Sequence, residues 1–379
     1  MIRVLVFVEY GWRNGGENSW LAIAELLSKS DCQFVVACPG ETEFSRHVEK
    51  MGLERLDWSV SDPKGQRKSQ AAIRSDIENV ILLTNPDLLH ANSLSTARLI
   101  GPVAERISIP ALGYLRDIIK LSSQAIQDIN CCHKIIAVSN ATREFHIDRG
   151  LDQSRCVVVH NGVDLEHFQP QNPTGAVHRE LRLANEQRIL LCVGQIGMRK
   201  GTDVVIESFK KIHAQFPDTV LLVVGMRNSQ KQEAIEFEDN CRQMATDLPI
   251  YWVGRRTDIS ELMNESTLLL HGARQEPLGR VLLEAMAAGL PFVATDVGGT
   301  KEIVESLDSN STMCKPDCPS SMAEFACHLL ANTRVQKTIS RNFRLAAESK
   351  FSVQDCSHKT LEIYRELVSV IDSRKNQTQ

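Results

Sequence analysis

Two carboxylates lie near an apolar stretch in the second half of the chain. Glu276 comes just before the stretch, and Glu284 lies within it among leucine and alanine residues. If the stretch is buried, the Glu284 carboxylate needs hydrogen-bonding partners, and a pair of sugar hydroxyls can supply them. A structural ion pair for Glu284 and a helix cap at Glu276 are the alternatives, because glutamates at this spacing are common by chance.

A glycine-bearing turn with two cations offers a second kind of chemistry. Gly194 ends an apolar run, and Arg199 and Lys200 follow shortly after it. Cations at the mouth of such a turn are suited to binding a diphosphate. The alternative is a solvated corner, which is the more common role of an Arg-Lys pair.

An earlier turn, residues 11–16, is also rich in glycine. It lacks the G-x-G-x-x-G spacing, and no acidic residue ends the second predicted strand, where Cys38 stands instead. These two absences disfavour a nicotinamide-dinucleotide site. A tight turn that simply needs glycine is the alternative.

These candidates follow short apolar runs that alternate with amphipathic stretches. Such alternation predicts strands and helices that build parallel sheets in an α/β fold. A turn-rich stretch, residues 160–187, predicts a linker between two domains. Pro277 and Gly289 predict a helix over about 278–288. The predicted strands are 2–8, 34–38, 88–91, 111–115, 134–138, 157–159, 189–193, 220–224, 250–253, 268–270 and 292–295.

Length and charge narrow the classes of function. A chain of 379 residues is long enough for two domains. With 43 Lys+Arg against 47 Asp+Glu, it offers no basic face for a nucleic acid. A short basic loop, residues 64–68, could touch an anionic lipid surface or acceptor, although such loops are more often solvated.

Cysteine usage and apolar runs predict the compartment. The eleven cysteines form no evident disulfide framework, and Cys314 and Cys318 lack a second pair at zinc-finger spacing. The apolar run 2–8 is too short for a secretion signal, and no run approaches the roughly 20 residues of a membrane span. We expect a reduced, cytoplasmic protein, with a peripheral position at the inner membrane face left open.

Two segments, residues 276–291 and 294–304, closely resemble the signature of retaining glycosyltransferases of family 4. Further matches are Gly15-Gly16, residues 136–139, residues 161–164 and Lys200-Gly201. The resemblance implies the GT-B fold, with two Rossmann-like, doubly wound parallel-sheet domains facing a central cleft. Residues 1–168 would bind the acceptor and residues 169–352 the nucleotide sugar, with a helix at 353–372 packed back on the first domain.

The resemblance also implies roles for individual residues. Glu276 would contact hydroxyls of the donor sugar and Glu284 those of the ribose. Lys200 would neutralise the leaving diphosphate, and Gly16 would close over it from the other domain. The remaining donor-site residues are Gly194, Gln195, Arg199, Arg255, Pro277, Leu278, Gly279 and Arg280, with the amides of Leu278 and Gly279 on the diphosphate.

The same resemblance implies transfer with retention at the anomeric carbon and no required cofactor or divalent metal. The sequence has no Asp-x-Asp motif, so cations would replace a metal at the leaving group.

Two positions depart from the family pattern. Many members have Arg where this chain has Gln195, so Arg199 could supply that diphosphate contact. Many also have a His where the turn after 111–115 reads Arg116-Asp117, although His90 ends the preceding predicted strand. We predict that Asp117 and Arg116 are cleft residues, with a salt-bridged turn as the alternative.

The sequence leaves other functions open. A sugar-nucleotide epimerase of the same fold and a non-catalytic nucleotide-sugar-binding protein are the alternatives. The donor base and sugar are not readable. The acceptor, a glycan or a lipid-linked molecule, is not readable either, because it is recognised by variable loops.

Overall fold

The computed structural model describes residues 1–305, 307 and 312–377 and divides the chain into two units. The first unit is Met1–Gly162 together with the chain from Val353 onwards, and the second is Val163–Ser352.

The first unit contains a parallel sheet whose described strands have the order β3-β2-β1-β4-β5-β6-β7. Its interior strands are buried apolar runs, as in β1, where Val4 to Phe7 are fully buried. The strands are β1 (Ile2–Phe7), β2 (Cys32–Cys38), β3 (Glu54–Asp57), β4 (Leu88–Ala91), β5 (Ala111–Leu115), β6 (Lys134–Ala137) and β7 (Cys156–Val158). The helices are α1 (Gly15–Leu27), α2 (Glu43–Lys50), α3 (Gln70–Thr84), α4 (Leu94–Ile107), α5 (Ser123–Asn130) and α6 (Asn140–Ile147).

The second unit contains a parallel sheet that has the order β10-β9-β8-β11-β12-β13 over the described residues. Its strands are β8 (Arg188–Val193), β9 (Thr219–Val224), β10 (Ile250–Gly254), β11 (Leu268–His271), β12 (Phe292–Thr295) and β13 (Met313–Cys314). Its helices are α7 (Ala176–Leu181), α8 (Thr202–Gln215), α9 (Gln232–Met244), α10 (Ile259–Glu265), α11 (Arg280–Ala287), α12 (Thr300–Val304), α13 (Pro319–Ala331) and α14 (Thr333–Lys350).

Each sheet has a point where the strand order reverses. In the first unit this point lies between β1 and β4, and in the second it lies between β8 and β11. Loops that leave the carboxyl ends of such strand pairs diverge and leave a crevice in which ligands bind. The loops after β8 and β11 carry most of the predicted donor-site residues.

The last helix, α15 (Val353–Gln377), belongs to the first unit. The Tyr364 hydroxyl lies 2.6 Å from Nδ1 of His90, the histidine in β4, and both side chains are fully buried. Lys134 and Glu366 form an ion pair of 2.9 Å near the surface. The chain therefore returns to its first sheet after completing the second unit. Among the described residues, no helix is long and apolar enough to cross a membrane.

The buried His90 ring makes stability depend on pH. Burial, followed by the charge of Arg116, lowers the pKa of His90 from 6.5 to about 3. Below pH 6.5 the unfolded chain binds a proton that the folded chain does not bind until about pH 3. Acid therefore favours unfolding, by about 2 kcal/mol at pH 5. We expect His90→Gln to lose less stability than the parent between pH 7.5 and pH 5 in urea unfolding, whereas His358→Gln, at an exposed histidine, should match the parent. Equal losses in all three proteins would contradict this account.

The structure corrects the predicted domain boundary, which it places after Gly162 instead of after residue 168. The amide of Val163 donates to the carbonyl of Phe351 at 2.8 Å, and Arg344 donates to the carbonyls of Leu165 and Phe168 at 3.3 and 2.9 Å. These bonds hold residues 163–168 against the second unit.

The predicted first turn is also shorter than expected. Gly15 and Gly16 begin α1 instead of ending the loop, because Asn14 caps the helix. The backbone N–H of Asn14 donates to Oε2 of Glu17 at 3.2 Å. The predicted linker contains the short helix α7.

Candidate active site

The predicted helix around Glu284 begins later than expected. The helix α11 starts at Arg280 instead of about residue 278, because Gly279 has a φ of 106°, which is incompatible with a helical residue. Pro277 and Leu278 therefore lie in the loop between β11 and α11, and both are buried.

Glu276 lies in this loop with its side chain 7% exposed, and it receives two hydrogen bonds. Lys200 donates its ammonium to Oε2, and the ring of His271, at the end of β11, donates Nε2–H to the same oxygen at 3.1 Å. Both hydrogen bonds that described side chains make to this carboxylate are accepted by Oε2 and not by Oε1. The cluster brings Lys200 and Glu276 together from adjacent strands, β8 and β11.

Electrostatics keep the Glu276 carboxylate ionised. Burial alone raises the pKa of Glu276, but Lys200 and His271 outweigh it and hold the pKa well below its usual range. Burial lowers the pKa of His271, partly offset by Glu276, so the neutral ring acts as a donor. The site thus joins the negative Glu276 carboxylate, the positive Lys200 ammonium and the neutral, hydrogen-bond-donating His271 ring in direct contact.

The loop after β8 is fixed against the loop after β11 through glycines. Gly201 has a φ of 60°, and a Cβ built there would lie 1.8 Å from the carbonyl oxygen of Gly272. The amide of Arg274 donates to the carbonyl of Arg199 at 2.9 Å, and the Arg274 guanidinium binds both oxygens of Asp203 at 2.9 and 2.7 Å. These contacts hold the backbone that carries Lys200.

We expect Gly201→Ala to lower the free energy of unfolding by about 2–4 kcal/mol, because the methyl group both overlaps a backbone oxygen and requires a left-handed backbone. Gly197→Ala is the matched control, since its φ of 175° suits any residue and no atom lies within 4 Å of its Cβ position. Urea denaturation measures both values, and an equal effect of the two substitutions would refute the interlocking role.

Glu284 has a protein partner in the structure. Its Oε1 lies 2.8 Å from Nε of Arg280, one helical turn earlier, and its side chain is 12% exposed. Burial raises the pKa of Glu284, and Arg280 opposes this rise. The predicted need for a partner is therefore met by an ion pair, and a role on the ribose stays a prediction.

The other predicted donor residues are spread along the carboxyl edge of the sheet. Gly194 and Gln195 directly follow β8. The backbone of Gly194 packs closely on that of Gly225, since a Cβ built at Gly225 would lie 1.8 Å from the carbonyl oxygen of Gly194. Arg199 is exposed, and its positive charge contributes to lowering the pKa of His271. Arg255 is exposed after β10, the outermost strand on that side, so the sheet order separates it from Glu276.

The predicted residues of the first unit form a separate group. A Cβ at Gly16 would lie 2.9 Å from Cδ of Arg116. Arg116 binds Oδ1 of Asn92 and Oδ1 of Asn161, each at 3.0 Å, and the salt-bridged turn stays an open alternative. Asp117 is exposed, and its carbonyl accepts a bond from His146 at 2.9 Å. The proposed action of Gly16 on a diphosphate stays a prediction.

His271 was missed by the sequence analysis. The predicted strand ended at residue 270, and a histidine after an apolar run carries no signal by itself. Its proximity to Glu276, five residues later, depends on the loop conformation. Within the described ranges, no group of three or more His, Cys, Asp or Glu side chains could hold a metal ion.

Two family models match successive parts of the chain. The model described as Glycosyltransferase Family 4 matches residues 13–167, and the model described as Glycosyl transferases group 1 matches residues 175–345. The chain belongs to the family 4, group 1 glycosyltransferases.

Curated proteins similar to this family 4 chain come from several bacteria. It is 27% identical to the lipopolysaccharide core biosynthesis mannosyltransferase LpsB of Rhizobium meliloti over 237 residues, which are 62% of this chain and 66% of LpsB. It is 30% identical to the lipopolysaccharide glucosyltransferase WaaG of Escherichia coli over 169 residues, 44% of each protein. The matched regions thus span less than two thirds of these relatives.

Solved structures share the architecture of this family 4 chain over nearly its whole length. HepE of Anabaena, solved in complex with UDP and glucose, has a TM-score of 0.85 at 21% identity and covers 97% of this chain and 100% of HepE. The likeness concerns the fold, which is GT-B with two parallel-sheet α/β domains.

Proposed function

We propose that this chain transfers a sugar from a nucleoside-diphosphate sugar to a hydroxyl of an acceptor, with retention at the anomeric carbon and without a required metal. One observation carries the proposal: Lys200 and His271 both bind Oε2 of Glu276 beside the start of α11. This arrangement fixes a carboxylate where a sugar ring can be bound and a cation where a phosphate can be bound.

The carboxylate would orient the donor sugar. With Oε2 occupied by two donors, Oε1 is the oxygen available to accept a bond from a sugar hydroxyl. An ionised acceptor binds a hydroxyl more strongly than a neutral one does. Because its pKa is held low, Glu276 would keep this role across the physiological pH range.

The cations would act on the leaving group. The bond between the anomeric carbon and the phosphate oxygen breaks, and a bond between the same carbon and the acceptor oxygen forms on the same face. The acceptor proton passes to the departing phosphate. Lys200 and Arg199 would neutralise the diphosphate, and the amides of Leu278 and Gly279 and those that open α11 would bind its oxygens. Preorganised charges of this kind can act where no metal bridges the phosphates.

The relatives support a nucleotide-sugar donor. LpsB is named a mannosyltransferase and WaaG a glucosyltransferase, and HepE has been solved with UDP-glucose. We infer a nucleoside-diphosphate hexose as donor and a glycan or lipid-linked glycan as acceptor, in a cytoplasmic setting. Residues 64–68 would supply few free charges to a membrane surface, because Arg67 is paired with Glu9 and Lys68 with Asp76.

A thermal-shift screen tests the donor site. The protein is melted with UDP, GDP, ADP, dTDP, CDP and NAD(P), each without added metal and again with magnesium. A ligand at about 100-fold over its dissociation constant should stabilise by about 2.7 kcal/mol, or a few degrees. We expect one nucleoside diphosphate to stand out without metal and its sugar nucleotide to release it when an acceptor is present. A shift with NAD(P) alone, or a changed donor without release, would contradict transfer.

A further inference from the structure

A second polar cluster lies at the switch point of the first sheet. Glu9 and Tyr10 follow β1, and Asp117 follows β5. Glu17 lies in the first turn of α1, and Arg67 comes from the loop after β3. Loops at this edge of an open α/β sheet are where ligands bind.

Glu9 is the most telling member of this cluster. Its side chain is 4% exposed, and Oε1 accepts a bond of 2.7 Å from Arg67. The other oxygen, Oε2, is buried and has no hydrogen-bond partner among the described residues. Buried carboxylate oxygens are almost always paired, so this oxygen indicates a hydroxyl donor that the protein itself does not supply.

Tyr10 shows what surrounds that carboxylate. Burial raises the pKa of Tyr10, and Glu9 and then Asp117 raise it further, while Arg67 lowers it and Glu17 adds a smaller rise. The charges that act on the Tyr10 hydroxyl are therefore those of three carboxylates and one guanidinium.

The aromatic residues of this loop are turned outward. Tyr10 is 49% exposed, and Trp12 in the same loop is 63% exposed. Exposed rings next to hydrogen-bond acceptors are suited to sugars, whose apolar ring face packs on an aromatic ring while the hydroxyls bind polar groups.

The neighbouring arginines do not reverse the charge. Arg116 binds Asn92 and Asn161 and lies 3.9 Å above the ring of Tyr114. Arg13 donates to Asn18 at 3.1 Å. Both guanidinium groups keep their charge on these neutral partners, but the charges that act most on Tyr10 are three carboxylates and the single guanidinium of Arg67. A phosphate brought to Tyr10 would therefore meet mainly carboxylates, and like charges repel strongly in a partly desolvated site.

We propose that Glu9, Tyr10, Trp12 and Asp117 bind the acceptor through the hydroxyls of an uncharged sugar and that this cluster disfavours phosphorylated acceptors. The assignment of the bound sugar as acceptor rests on the proposed transferase function. Glu9 and Asp117 accept hydrogen bonds from sugar hydroxyls, Arg67 donates one to a sugar oxygen, and Trp12 packs on the sugar ring.

Saturation-transfer NMR on the full-length protein tests this without turnover. The probes are maltose and methyl galactoside, each compared with glucose 6-phosphate and galactose 6-phosphate. We expect the uncharged sugars to bind about 10-fold more tightly, because the carboxylates repel the phosphate group. Glu9→Gln and Asp117→Asn should each weaken that binding about 10-fold and narrow the preference. Glu25→Gln, at an exposed carboxylate on α1, should leave it unchanged.

Nucleoside-diphosphate binding is followed in the same samples. Loss of sugar binding in the variants with unchanged diphosphate binding supports the assignment, and Tyr10→Phe repeats the test if Glu9→Gln does not fold. Tighter binding of the phosphorylated sugars, binding of neither class, or unchanged binding in both carboxylate variants would overturn it. Failure of every nucleoside diphosphate to bind would instead count against the proposed function. The sugar titrations would still show whether Glu9 and Asp117 bind an uncharged sugar.

Discussion

Replacing Lys200 with alanine is expected to reduce kcat/KM about 10³-fold while the protein still unfolds cooperatively. Lys200 holds Glu276 in the structure and would neutralise the leaving diphosphate. Removal of a single preorganised group at a developing charge typically has an effect of this size. Initial rates with the donor found in the diphosphate screen measure the change, and Lys210→Ala, at an exposed lysine on α8, is the matched control.

A second substitution tests the structural role of Lys200. Lys200→Ala leaves the Glu276 carboxylate buried with only His271, which should lower the free energy of unfolding by about 3 kcal/mol. Adding Glu276→Gln removes the unpaired charge, so the double variant should regain most of that stability. Its activity should stay at the low level of Lys200→Ala. Because Glu276 is lost as well, recovery of activity together with stability would contradict the proposed roles of both residues.

Replacing Glu284 with glutamine is expected to weaken donor binding about 100-fold with little change in kcat. The reason is that ribose contacts are made equally in the ground state and the transition state. Two hydroxyl bonds to a charged acceptor are together worth about 2.7 kcal/mol, which is two orders of magnitude in affinity. Calorimetric titration of the nucleoside diphosphate measures the loss.

The deoxy analogue makes the Glu284 test specific. The parent protein should bind the 2′,3′-dideoxy diphosphate about 100-fold more weakly than the normal one, and Glu284→Gln should not distinguish them. Glu348→Gln disrupts another Arg-Glu pair on a helix of the same unit and serves as control. If Glu284→Gln changes the melting temperature but neither affinity, the pair with Arg280 is purely structural.

The buried strands could be predicted from the sequence because parallel strands between helices are continuous apolar runs. The runs around Val4 and Leu269 were placed correctly. The strand β3, with the sequence ERLD, was not predicted, because its residues are exposed or half-buried and the strand lies at the sheet edge. The helix α3 was not predicted either. Its Leu82 and Leu83 are 80% and 79% exposed, so its apolar residues do not mark a single buried face.

The site was predictable where it follows strand ends and unpredictable where it depends on loop conformation. Lys200 and Glu276 each follow a predicted strand, and parallel strands bring their carboxyl ends to one edge. The bond of His271 to Glu276 depends on the conformation of the loop before α11, whereas the pairing of Glu284 with Arg280 needs only their spacing of four residues on a helix. The end of that loop is set by the backbone of Gly279, which the proline-glycine pattern misplaced.

The position of α15 has a consequence for the order of folding. The sheet of the first unit is complete in sequence at β7, but Tyr364, which binds His90 in its core, follows only after all of residues 163–352. On a ribosome, which adds about 5–20 residues per second, the second unit can fold while the first still lacks its last helix. The His90 ring would then lack its Tyr364 partner during synthesis, and it would be covered only when α15 packs on the first sheet.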